Sequence, residues 1–161
     1  MKKQTCKIKA VEFNNKNKTL QITYDSGKKL SIHYGQLGLK KNVSKVWVDK
    51  ETNGRSVGIS FEDGSVDYMP YDQPLAINKD PEYMLQNQIE KMIAQIELTL
   101  KKKKISKRYL ATQLKTSDNQ IQRLLNPNIL NKNLEQLYSL TSLVGLDLEW
   151  QVKETDTDEA A

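Results

Sequence analysis

Residues 106–127 read SKRYLATQLKTSDNQIQRLLNP, a stretch that two short helices joined by a tight turn account for. Ser106 is placed to cap the first, expected over Ser106 to Leu114, because its hydroxyl can accept from a free N–H of the opening turn. Tyr109, Leu110 and Leu114 give that helix an apolar face, and Ala111 supplies the small side chain needed where two helices cross steeply. After Lys115 and Thr116, Ser117 can cap a second helix over Asp118 to Leu125, with Ile121, Leu124 and Leu125 turned inward. Pro127 stops it, since proline lacks an N–H and restricts Asn126 before it.

Toward the C-terminus, Leu134, Leu137, Tyr138 and Leu140 to Val144 predict a further helix closed by Gly145. LDLEWQV alternates after it and reads as a short terminal strand. Toward the N-terminus, KKKKISKR at 101–108 packs six cations into eight residues. A long helix leads up to it. Asp80 can cap that helix, Pro81 suits its first position and Glu82 favours the positive end of its dipole. Leu85, Ile89, Met92, Ile93, Ile96 and Leu100 then recur at spacings of three and four, a stripe about 20 residues long spanning roughly 30 Å.

The first half has a different texture. Leu20, Ile22 and Tyr24 alternate with polar neighbours, as do Leu30, Ile32 and Tyr34 across the turn Asp25-Ser26-Gly27, which is a hairpin. Val46 to Val48 reads as a short strand, and SVGISFEDGSVDYMPY at 56–71 as a second hairpin around Glu62-Asp63-Gly64. The likeness of TYDSGKKL to SFEDGSVD is one that turn chemistry alone would produce. The expected fold class is α+β: a small strand-rich N-terminal domain (1–80), a long linking helix (81–104), and a C-terminal all-α helix-turn-helix domain with a short terminal strand (105–153). An acidic disordered tail follows at 154–161.

Composition removes several function classes. The chain has 161 residues, 37% hydrophobic and 28% charged, with a formal charge of +5. No apolar run approaches the roughly 20 residues that cross a bilayer. MKKQTCKIKA has no apolar stretch behind its lysines, so it does not read as a secretory signal and a cytoplasmic protein is expected. Cys6 is the single cysteine, which leaves no internal disulfide and suits an inert thiol near the start of a strand. His33, the single histidine, falls opposite in phase to Ile32 and Tyr34 and reads as a surface residue. Asp25, Asp63 and Asp67 are conceivable carboxylates for acid–base work or a metal, yet Asp25 and Asp63 sit beside turn glycines, where aspartate bonds the backbone. No catalytic residue, cofactor or metal site is expected.

LATQLKTSDNQIQRLLNP resembles the lambda-repressor-like, or XRE-type, helix-turn-helix superfamily over residues 105–152, most of all the DNA-binding domains of bacterial antitoxins and small phage or mobile-element regulators. Two residues depart from the family pattern. Lys115 stands where glycine is usual, and a positive φ there costs on the order of 1 kcal/mol. Asp118 puts an acid near the start of the recognition helix, where a phosphate or base edge would approach. VxISFEDGxVxxxPY ahead of a helix loosely resembles a small bacterial domain found upstream of such modules, which implies a ligand-sensing or protein-partner-binding role for residues 1–80.

The outward residues of the second helix carry the functional reading. Ser117, Asn119, Gln120, Gln122 and Arg123 face away from the apolar side, and Asn, Gln and Arg have the donor and acceptor patterns that read adenine and guanine edges in the major groove. Lys104, Lys107, Arg108 and Thr116 flank them as phosphate contacts. The expected protein is a bacterial or phage-borne transcriptional regulator that binds double-stranded DNA as a homodimer and represses its own promoter. The alternative is an inhibitory interaction factor, an antitoxin or anti-defence protein, whose N-terminal domain seizes a protein partner.

Overall fold

The computed structural model describes residues 7–154; Cys6 and residues 155–161 of the acidic tail lie outside them. Six strands come first: β1 (Ile8–Asn14), β2 (Thr19–Tyr24), β3 (Lys29–His33), β4 (Val43–Val48), β5 (Ser56–Phe61) and β6 (Val66–Pro70). Five helices follow: α1 (Gln73–Ile77), α2 (Pro81–Lys103), α3 (Lys107–Gln113), α4 (Asp118–Leu124) and α5 (Leu134–Leu143). The chain divides into two compact units inside α2, between Gln88 and Ile89.

The first unit is built from two three-stranded antiparallel meanders, β1-β2-β3 and β4-β5-β6. They repeat each other in register. Ile8 lies opposite Tyr24 and Ala10 opposite Thr23, with a bulge between; Val43 lies opposite Phe61 and Lys45 opposite Ser60, with the same bulge. The hairpin turns match as well, with Gly27 at φ +87° and Gly64 at φ +83°. The likeness of TYDSGKKL to SFEDGSVD is therefore a structural duplication rather than turn chemistry alone. Period-two alternation sends Leu20, Ile22, Tyr24 and Ile32 from one meander, and Val57, Ile59, Phe61 and Met69 from the other, into one shared core. Each such side chain contributes roughly 1.5–3 kcal/mol by leaving water.

In the second unit, Ile89, Ile93, Ile96 and Leu100 of α2 share a core with Leu110, Ala111, Ile121, Leu124, Leu125, Leu137, Leu140 and Val144. Lys103 donates from Nζ to the Val144 carbonyl oxygen at 2.6 Å, tying the end of α2 to the end of α5 in the way a cation suits a helix C-terminus.

The architecture differs from the one the sequence leads one to expect. The chain is a mixed α+β protein, two three-stranded sheets followed by helices, and it does not form an all-α C-terminal domain closed by a strand. Every strand among the described residues lies between Ile8 and Pro70. LDLEW forms no strand: Leu146 and Leu148 rest partly buried on the helical core, and a segment lying on helices satisfies the same alternation as a strand. The second half of the α2 stripe, Ile89, Ile93, Ile96 and Leu100, is part of that core.

Candidate nucleic-acid interface

Local chemistry sets α3 and α4 as the sequence leads one to expect. Ser106 Oγ accepts from the Tyr109 N–H at 3.0 Å, and Ser117 Oγ accepts from the Gln120 N–H at 3.2 Å. Between the helices the Thr116 N–H donates to the Ala111 carbonyl oxygen at 2.9 Å. Lys115 takes φ +51°, so the turn keeps the left-handed conformation that favours glycine, with a lysine in it. Ala111 is buried at the crossing of the two helices, and Ile121 and Leu124 fix which side of α4 faces inward.

That choice of inner face decides what α4 shows to solvent. Asn119, Gln120, Gln122 and Arg123 are exposed and line one shallow cleft of ≈ 450 Å³ with Asn126. Gln120 and Arg123 also border a second cleft of ≈ 320 Å³, whose other walls include Asn131, Lys132, Asn133 and Gln136. Ser117 is exposed but is outside both clefts, and its hydroxyl is engaged as the cap. Asp118 is exposed in the first turn of α4, where a carboxylate favours the helix dipole.

The expected phosphate contacts are more scattered. Lys107 Nζ lies 2.9 Å from Glu97 Oε1 on α2. Lys104 sits in the turn after α2 at φ +54° and borders a groove with Glu97, Leu98 and Lys107. Arg108 is exposed; Thr116 is half-buried.

Sequence reasoning missed Lys132. Its ammonium donates to the carbonyl oxygens of Asn126, at 2.6 Å, and Arg123, at 3.0 Å, so it ties down the end of α4 beside the amide-lined clefts. Burial pushes this lysine down to about 8. NPNILNKN reads as loop composition, and nothing in it signals that a lysine six positions after Asn126 folds back.

Elsewhere the acidic residues serve turns. Asp25 accepts from the Lys7 N–H at 3.2 Å, and Asp63 accepts from the Ser65 N–H at 3.0 Å and pairs with Lys41. Those hydrogen bonds, the one from Lys41 foremost, hold the Asp63 carboxyl well below the usual carboxylate range. His33 is exposed at the end of β3. Among the described residues no cluster of His, Cys, Asp and Glu could hold a metal ion, and no helix is long and apolar enough to cross a membrane. Comparison with protein-family models, with curated proteins and with solved structures gave no match.

Proposed function

We propose that the chain is a sequence-specific DNA-binding regulator whose α4 enters the major groove and which represses its own promoter. The observation that carries the reading is the outer face of α4: three amide side chains and one guanidinium, all exposed and lining one cleft, on a helix short enough to be presented by its N-terminal turns. Asn and Gln match adenine bidentately and Arg matches guanine. Lys104, Lys107, Arg108 and Thr116 supply backbone contacts without sequence information. The protein binds as a homodimer, because paired half-sites need paired recognition helices; α5 leaves Leu134 and Tyr138 exposed one turn apart, an apolar face that a second copy can cover. Light scattering of the full chain with duplex DNA from upstream of its own coding sequence tests this. Two protomers per duplex is the expected mass, and an unshifted mass contradicts it.

A further inference from the structure

The duplicated meanders invite a position-by-position comparison of their outer faces. In the first sheet Glu12, Gln21 and Ser31 lie side by side across the strands, all polar and exposed. The matching row of the second sheet is Trp47, Gly58 and Tyr68. The same backbone therefore carries a solvated row on one copy and an aromatic row on the other.

The aromatic row is built. A Cβ on Gly58 would lie 2.1 Å from Trp47 Cε2, so the glycine exists to let the indole lie across the strand. Tyr68 stands edge-on to it, with ring centroids 6.2 Å apart and planes at 86°. Lys45 Nζ reaches over the indole at 5.8 Å from its centroid. Tyr68 is 57% exposed and Val66, on the same side, 50%. The Tyr68 wall and the Lys45 cation are exposed, and the indole between them is half-buried over a buried Gly58.

We propose that this face docks an acidic, apolar-containing segment of a partner protein. Trp and Tyr are the side chains that anchor protein interfaces, and charge selects the partner. Lys45, two residues before Trp47 on β4, is the cation set over the indole, and residues 1–88 hold 14 lysines and arginines against 10 acids, whereas residues 89–161 hold 11 against 10. A nucleic-acid strand crossing an aromatic platform needs a groove of cations along its backbone, and one lysine does not make a groove. Strand addition at the β6 edge is blunted, because the Tyr68 N–H already donates to Asp67 Oδ1 at 2.8 Å and Pro70 has no N–H. The side-chain face is left as the recognition surface. It is separate from the α4 reading and stands or falls alone.

The test uses the full chain with Trp150→Phe, which makes Trp47 the sole indole. Its fluorescence is titrated with a peptide of alternating glutamate, leucine and proline, with the same peptide carrying lysine for glutamate, and with oligo(dT). The acidic peptide is expected to bind, Tyr68→Ser to weaken it about tenfold, and Lys45→Glu, an exposed substitution that leaves the core intact, to reverse the preference toward the lysine peptide. Duplex binding by the same variants should be unchanged, which separates this result from the DNA reading. Equal binding of both peptides, binding of oligo(dT) alone, no binding at all, or self-association lost in Tyr68→Ser would each overturn the proposal.

Discussion

The Lys132 ammonium lies 2.6 Å from the Asn126 carbonyl oxygen, just beyond the end of α4. One side chain thus closes the helix that carries Gln120 and Arg123. Its desolvation, which brings the pKa to about 8 against an ordinary 10.5, has a consequence for stability. Below about 8 the group is protonated in both the folded and the unfolded chain, and the fold carries the whole cost of burying the charge. Between about 8 and 10.5 the unfolded chain keeps a proton that the folded chain has released, so rising pH removes that cost and adds stability. The melting temperature of the wild type relative to Lys132→Met is expected to climb from pH 7.5 to pH 10, as thermal unfolding in matched buffers will show. A constant difference over that range contradicts the burial.

Lys115→Gly should stabilise the protein. The residue holds φ +51°, a left-handed conformation that costs a non-glycine residue roughly 1 kcal/mol and glycine almost nothing. A gain of about 0.5 to 1 kcal/mol in urea unfolding is expected, with no change in the slope. A loss would mean that the lysine side chain, not the backbone, matters there.

Ser117 separates capping from DNA contact. Ser117→Ala removes the acceptor for the Gln120 N–H and should cost about 1 kcal/mol. Ser117→Asp keeps a good cap while placing a second carboxylate beside Asp118, so stability should hold and duplex affinity should fall. Equal loss of stability in both variants is the contrary result.

Glu97 competes for Lys107. With the ion pair at 2.9 Å, Glu97→Gln frees the lysine for phosphate, and duplex affinity should rise and its salt dependence steepen by up to about one unit of slope. Lys107→Ala should do the reverse, lowering the slope by roughly one for all sequences. Unchanged slopes in both variants remove Lys107 from the interface.

What was readable in the sequence was local. Ser106 and Ser117 announce their helices because capping depends on residues within one turn, and Leu20, Ile22 and Tyr24 announce a strand because burial alternates with period two. The duplication hid because Trp47, Gly58 and Tyr68 replace the polar row of the first copy, so the two halves share inward residues and differ outward. LDLEW misled for the opposite reason, since its alternation is real but pairing requires a neighbour that alternation does not supply. Lys132 was invisible because its partners follow from how the chain returns after Pro127.

If α4 reads bases as proposed, Arg123, the guanidinium on its outer face, is the residue whose loss shows it. Binding of the wild type and of Arg123→Ala is measured, at one salt concentration, to duplex from upstream of the coding sequence and to a scrambled duplex of equal length. The wild type is expected to prefer the upstream duplex and Arg123→Ala to lose about 1 to 3 kcal/mol on that duplex alone. Binding to the upstream duplex that is indifferent to Arg123, or equal binding to both duplexes by the wild type, would contradict it.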